Sequence, residues 1–168
     1  MGFPNISDNE VEVIPYHLTE ILIISDMGGL QHLQIRVIFA GAIPFNDFMP
    51  ASIAKTLSVL QGEKPVLIVT EGTAKLDNHK YKSLFHIQAK MIPYEEVEAY
   101  VGHAPGGVCP FGVNEGVAVY LDESLRKFDT VYPAAGNGHT AVKLTLQELE
   151  AAAGAEGWVD VCKEPEGE

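Results

Sequence analysis

The sequence predicts one domain of the mixed α/β (α+β) class. Three observations carry that prediction. The chain has 168 residues, enough for one hydrophobic core and too few for two comfortable ones. Short β-branched and apolar runs alternate with helix-capping patterns along its length. Hairpin turns join some of these runs, so antiparallel pairs and helices share one architecture.

Taken in order, Val11 and Val13 alternate with Glu12 toward Pro15 as a short strand. Leu18 to Ser25 is strongly apolar, and too short for periodicity to separate helix from strand; Asp26-Met27-Gly28-Gly29 ends it. Gln34 to Ala40 is β-branched and aromatic enough for a strand. Pro50 to Lys55 has the composition of a helix start and hands over to an alternating strand at Thr56–Leu60, with Lys55 at the junction. Gln61–Lys64 turns the chain into Pro65–Thr70, a continuous apolar strand buried as the second arm of a hairpin.

Asp77 to Gln88 reads as a helix with Asp77 as N-cap and Tyr81, Leu84 and Phe85 inward. Met91-Ile92 is a short strand, and Pro93 to Val101 an amphipathic helix opened by proline and stopped by Gly102. After a loop come a strand at 116–121, a capped helical turn at 122–128, a strand at 130–134, a turn at Ala135–His139 and a strand at 140–144. Thr145 caps a helix over 146–153, and Trp158 to Cys162 closes the sheet.

Composition narrows the function. A hydrophobic fraction of 46% and a charged fraction of 20% are those of a soluble globular domain. No apolar run approaches the ~20 residues of a membrane span, and the first residues lack a basic, apolar leader, so the expectation is a cytoplasmic protein without a membrane partner. The net charge of −12 argues against a protein that grips duplex DNA, which needs a basic face. A nucleic acid would be held by a short end, or through a local basic patch that the net charge hides. Cys109 and Cys162 have no metal-ligand spacing, so neither a metal site nor a cofactor is expected, and in a reducing compartment no disulfide.

The stretch His103-Ala104-Pro105-Gly106-Gly107-Val108-Cys109-Pro110-Phe111-Gly112 carries three glycines and two prolines, which prevents a helix or strand and fixes a loop whose backbone N–H groups can approach a ligand. The plain alternative is a rigid connector. Lys55 is either aimed into a cleft or simply solvated. His139 sits in a flexible turn as a substrate contact or as a solvent-exposed histidine. Cys109 lacks a visible adjacent base and suits packing, and Asp122 suits a helix cap.

The order of Ile53-Ala54-Lys55-Thr56-Leu57, the hairpin with Pro65 to Val69, Glu95-Glu96-Val97, Pro105 to Gly112, Tyr120-Leu121-Asp122-Glu123-Ser124-Leu125 and Ala134-Ala135-Gly136 resembles the YbaK-like aminoacyl-tRNA deacylases. That family includes the editing domain inserted in bacterial prolyl-tRNA synthetases. The most specific part is the Gly-x-x-x-Pro signature, met by Gly106 and Pro110 in register with the lysine and with the Asp-Glu-Ser-Leu step. The resemblance covers about residues 50–162 of a single domain spanning 1–168, with a divergent first 45 residues and an acidic tail at 163–168. Tyr16, His17 and Thr19 do not align clearly with the family's pocket residues.

The resemblance implies a mixed, strongly curved sheet surrounded by helices, and a freestanding hydrolase that cleaves the ester at the 3′ end of a mischarged tRNA. It implies Lys55 and the Gly106 to Pro110 loop as the site, so that Lys55, Gly106, Gly107 and Val108 are the expected catalytic set; Pro110, Phe111, Gly112, Gly136 and, from its place in the turn, His139 are the expected substrate-binding residues. The implied partners are aminoacyl-tRNA and an aminoacyl-tRNA synthetase. An activated ester needs only a positioned water or the neighbouring ribose hydroxyl, with donors for the oxyanion, so the lack of a nucleophile motif is compatible with this chemistry. The rival expectations are a YbaK-like binding module without catalysis, and a deacylase acting on a small ester without tRNA.

Overall fold

The fold is built around a hairpin whose second arm is buried on both faces. The computed structural model describes residues 11–13, 20–27, 30–39, 50–135 and 140–165. In chain order its strands begin with β1 (Val11–Val13), β2 (Glu20–Met27) and β3 (Leu30–Phe39). A 3-10 turn at Pro50–Ser52 precedes β4 (Ala54–Gln61), β5 (Lys64–Glu71) and β6 (Lys75–Leu76). Then come α1 (Asn78–Phe85), β7 (Lys90–Met91), a 3-10 turn at Tyr94–Glu96 and α2 (Val97–Val101). The last third holds β8 (Ala118–Asp122), a 3-10 turn at Glu123–Lys127, β9 (Thr130–Val131), β10 (Thr140–Thr145), α3 (Leu146–Ala153), β11 (Gly157–Val159) and β12 (Cys162–Lys163).

The mixed sheet has the order β11-β8-β5-β4-β7, with β8 parallel to both β5 and β11, and β4 antiparallel to β5 and β7. An antiparallel sheet has the order β1-β2-β3-β10-β9, and β6 and β12 form a third, two-stranded pair. The segment after β9 links the two larger sheets. Tyr132 exchanges backbone hydrogen bonds with Ala54 N–H (3.1 Å) and Ser52 C=O (3.0 Å), and Ala134 bridges to Ala141 of β10.

Strand alternation divides the core in two. Leu67 and Val69 of β5 join Ala54, Leu60, Val119, Leu121, Val142, Leu144 and Leu149 on one face, where α2 and α3 pack. Val66 and Ile68 join Val59, Ala118, Tyr81, Val159 and Cys162 on the other, under α1. A strand so placed must be apolar throughout, which is why 65–70 has no polar alternation.

Several expectations are refined. Within the ambiguous 18–25 run, residues 20–25 belong to strand β2, which continues to Met27. The expected helix start at Pro50–Lys55 is only a three-residue 3-10 turn, because β4 pairs with β5 over eight residues from Ala54. Lys55 is therefore a strand residue, opposite Thr70. The helix at 77–88 stops at Phe85, with His86 left-handed at φ 59°. Asp77 caps it as expected, through Oδ1 to the N–H groups of His79 and Lys80. Tyr81 is buried and stacks on Phe85 at 4.6 Å, but Leu84 is 49% exposed, since two turns bury a narrow stripe and Leu84 lies off it. The strand expected at 158–162 is two strands in different sheets.

Asp122 causes that break. Its carboxylate is 1% exposed; Oδ1 caps Ser124 N–H at 3.0 Å, and Oδ2 accepts from Val161 N–H at 2.9 Å and Cys162 N–H at 3.2 Å. The cap role expected for Asp122 is thus extended to pinning the C-terminal segment. Asp122→Ala leaves two buried N–H groups unpaired and is expected to cost about 3 kcal/mol, read as a lower denaturant midpoint at an unchanged m-value. Burial pushes the Cys162 thiol up to about 12, so its alkylation at pH 8 should proceed only as fast as the protein unfolds. Rapid labelling of the folded protein would contradict that placement.

Candidate functional site

One edge of β4 shapes the site. Ala54 N–H and Ser58 C=O point away from β5, to Tyr132 C=O (3.1 Å) and Ile92 N–H (3.2 Å) respectively. Between these two covered points the strand wall opens on a cavity of about 630 Å³. Ile53 to Thr56 and Ser58 form one wall, Ile92, Tyr94 and Val97 another, and Pro105, Gly106 and Val108 a third, with Gly72 and Ala134 completing it. Lys55 is the one basic residue among those that line it, and none is acidic; opposite Thr70, its side chain leaves β4 on the face away from Ala54, Thr56 and Ser58. Tyr94 stands at its mouth, 75% exposed.

The loop after α2 is set by its glycines and by one asparagine. Gly102 ends α2 at φ 95°. Asn114 N–H donates to Val101 C=O at 2.9 Å, and its Nδ2 donates to Ala99 C=O at 3.2 Å, so it satisfies the last carbonyls of the helix and ties the far end of the loop to the start. Ala104-Pro105-Gly106-Gly107 is a turn closed by Gly107 N–H to Ala104 C=O at 3.0 Å. Proline second and Gly106 third at φ 88° is the type II pattern, which leaves the Gly106 N–H outside the turn's own hydrogen bond.

Cys109 does have a neighbouring imidazole, which the sequence did not reveal. His103 Nε2 lies 3.5 Å from Cys109 Sγ and 2.6 Å from Phe111 C=O. A carbonyl only accepts, so Nε2 carries a proton and cannot take one from the thiol. Cys109 Sγ also donates to Phe111 C=O, at 3.6 Å, and the residue is 2% exposed. Thiol and imidazole therefore staple the loop and do not form a nucleophile and base pair.

The Asp-Glu-Ser-Leu step supports the same site from behind. Ser124 Oγ is 3.0 Å from Thr70 Oγ1 and accepts from Glu71 N–H at 3.3 Å. Glu71, 1% exposed, accepts from Thr73 Oγ1 at 2.6 Å and pairs with Lys127 Nζ at 3.2 Å. The carboxylates of Glu164 and Glu71 hold the Lys127 ammonium above its ordinary range. These bonds fix the turn after β5, which ends in Ala74, and Ala74 C=O receives Lys55 Nζ at 2.5 Å.

Of the residues predicted from sequence, the structure gathers Lys55, Gly106 and Val108 around one cavity. Gly107 is buried with its N–H committed to Ala104. Pro110 is buried, Phe111 packs on the main core and Gly112 is exposed at φ 58°; none of the three is among the lining residues. Gly136 and His139 lie outside the described residues, as do Tyr16, His17 and Thr19. Thr56, Ser58, Ile92, Tyr94 and Val97 are lining residues that sequence reasoning missed. Alternation along β4 was the available signal for Thr56 and Ser58. Among the described residues no three His, Cys, Asp or Glu side chains are grouped to hold a metal ion, and no helix is long and apolar enough to cross a membrane.

Comparison with known proteins identifies the family. Residues 42–152 match the aminoacyl-tRNA editing domain family. The chain is 45% identical over 113 residues to the uncharacterized protein YwhH of Bacillus subtilis (strain 168), covering 67% of this chain and 72% of that one. It is 29% identical over 100 residues to a protein of Enterococcus faecalis (strain ATCC 700802 / V583) named "Putative Cys-tRNA(Pro)/Cys-tRNA(Cys) deacylase EbsC", covering 58% of this chain and 60% of that one. A crystal structure described as "a putative trans-editing enzyme for prolyl tRNA synthetase" superposes with a TM-score of 0.67 at 26% identity, over 77% of this chain and 87% of the other. The match to residues 42–152 takes in β4, the glycine and proline loop and the Asp-Glu-Ser-Leu step together. The chain belongs to the aminoacyl-tRNA editing domain family.

Proposed function

We propose that this protein is a cytoplasmic trans-editing hydrolase that deacylates mischarged aminoacyl-tRNA. The observation that carries the reading is the cavity in which Lys55, Gly106 and Val108, distant in sequence, share one wall system in a chain of this family. The aminoacyl end enters past Tyr94. A water, or the adjacent ribose hydroxyl assisting it, adds to the ester carbonyl carbon; the bond to the ribose oxygen then breaks, that oxygen takes the proton, and free amino acid and tRNA leave.

The protein's part is to place the ester and to stabilise the oxyanion with donors already in position. Gly106 N–H, outside its turn's hydrogen bond, and Val108 N–H are the backbone donors; Gly107 N–H is occupied. Lys55 contributes a cation. An ammonium has three N–H bonds and Ala74 C=O takes one, so two remain; alternation along β4 sets this side chain on the face of Thr70, across the strand from Thr56, and its charge acts on the site from there. Ile53, Ile92, Val97 and Val108 give the amino-acid side chain an apolar setting without a carboxylate, which suits a small uncharged residue. An acidic protein can serve this substrate because only a single-stranded 3′ end enters.

A panel of mischarged tRNAs tests the reading. Wild-type protein should release amino acid from at least one, and Lys55→Ala should lower kcat/KM by about 100-fold or more. No release from any substrate, or equal release by Lys55→Ala, would sink the reading. Gly106→Ala should also lose activity. A Cβ there meets nothing within 4 Å, so the penalty comes from φ 88° and not from crowding. Cys109→Ala should stay active, and an inactive but folded Cys109→Ala protein would overturn the stapling role given to that cysteine.

A further inference from the structure

Cations are scarce in this chain, 11 against 23 acidic residues, yet residues 75–91 hold four lysines and two histidines against Asp77 alone. The fold sorts them. Helix α1 runs back along β5, from Asp77 N–H on Val161 C=O (2.8 Å) to Ile87 beside Gly62 in the hairpin turn. Tyr81 is its buried residue, so Lys80 and Lys82, each about 100° round the helix from it, leave on opposite flanks. Lys80 reaches Asp160 (2.7 Å) and Cys162 C=O (3.0 Å), on the flank of β11 and β12. Lys82 therefore leaves on the other flank, toward β7, the last strand of the mixed sheet, which itself carries Lys90. Both are exposed, and among the described residues neither has a carboxylate within ion-pair distance, unlike Lys80, Arg126 and Lys127.

The same edge carries exposed apolar groups: Ile87, Met91 and Tyr94 are 37%, 53% and 75% exposed, and Tyr94 also belongs to the cavity wall. Beyond Tyr94 the charge reverses, with Glu95, Glu96 and Glu98 exposed at the start of α2. We infer that the β7 edge, from Tyr94 through Met91 and Lys90 to Lys82, is the bed on which the unpaired 3′ strand of an RNA lies as its end enters the cavity. Single-stranded RNA is held without regard to sequence by side chains on which bases stack and by cations that track the phosphates. Tyr94 and Met91 supply the first; Lys90 and Lys82, free of carboxylates, supply the second. From Tyr94 back to Lys90 the chain spans at most about 13 Å, the scale of the few nucleotides next to the terminal one. The three glutamates repel phosphates from the α2 side, so the strand leaves the cavity over β7 and not over α2. A chain of net charge −12 thus holds a polyanion through one patch set apart from its acidic remainder.

This inference rests on the deacylase reading for its ligand, and its test needs no hydrolysis. The probes are two RNA hairpins, one with an unpaired 3′ tail and one blunt. Wild-type protein should bind the tailed hairpin about 10-fold more tightly than the blunt one. Lys82→Gln/Lys90→Gln should weaken tailed binding by about 10-fold, and should make the slope of log K against log salt shallower by about 1.4, the value for two single-strand phosphate contacts. Tyr94→Ala should weaken tailed binding by about 10-fold with the slope unchanged, because a stack carries no charge. Lys75→Gln/Lys163→Gln removes the same charge from the β6–β12 ribbon, on the other flank of α1, and should leave both affinity and slope as in wild type at physiological ionic strength. All four lysines and Tyr94 are exposed, so each variant should unfold at the wild-type temperature. Equal binding of the two hairpins, or a slope that falls as far in Lys75→Gln/Lys163→Gln, would overturn the inference. Tailed binding with these signatures by a protein that hydrolyses no mischarged tRNA would leave the bed standing and remove the hydrolase. Hydrolysis of mischarged tRNA at an undiminished kcat/KM by Lys82→Gln/Lys90→Gln would remove the bed and leave the hydrolase.

Discussion

The half-covered edge of β4 is the constraint on which the candidate site depends. A strand edge must be paired, covered or blunted, and this one is paired by β7 at Val59 and Leu60 and by Tyr132 at Ala54. Between them the cover stands back and the cavity opens. Both covers come from segments whose main business is elsewhere: Tyr132 follows β9, which pairs with β10, and Ile92 leads into α2. The cavity is therefore a by-product of how the mixed sheet meets the antiparallel sheet and α2, and its position is as fixed as those contacts.

Two buried carboxylates hold what surrounds it. Asp122 binds Ser124 N–H on one side and Val161 and Cys162 N–H on the other, joining the turn after β8 to the C-terminal segment. Glu71 joins the end of β5 to Thr73 and Lys127. Ser124 connects the two, touching Thr70 and Glu71. The result is a rigid turn from Glu71 to Ala74 that carries the carbonyl on which Lys55 rests. The lysine, the glycine loop and the Asp-Glu-Ser-Leu step thus belong together physically: the lysine and the loop line one cavity, and the Asp-Glu-Ser-Leu step holds the turn to which the lysine is bonded.

Much of this was legible in the sequence because local rules and the final contacts agree. The continuous apolar run 65–70 could only be a doubly buried strand, Thr145 with Glu148 forms the capping box that its pattern announces, and Gly102 stops α2 where a left-handed residue is needed. Misreadings came where tertiary contacts outweighed local preference. Pro50 suggested a helix through Lys55, but eight paired residues of β4 took that lysine into a strand. Leu84 followed the helical apolar pattern and yet points outward, because α1 is too short to bury a wide stripe. The imidazole beside Cys109 was hidden because the pair meets only when the loop folds back on itself over Phe111 C=O. Thr56 and Ser58 looked like strand fillers, since an open edge is a property of neighbours and no local pattern records it.

The central claim is that the aminoacyl end of a tRNA occupies the space between β4 and the Pro105–Val108 turn. Mapping backbone amide shifts while titrating a non-hydrolysable aminoacyl adenosine into the protein tests it most directly. The largest changes should fall on Thr56, Gly106 and Val108, with Gly107 small because its N–H stays bonded to Ala104. Changes centred elsewhere, or none at saturating probe, would contradict the account.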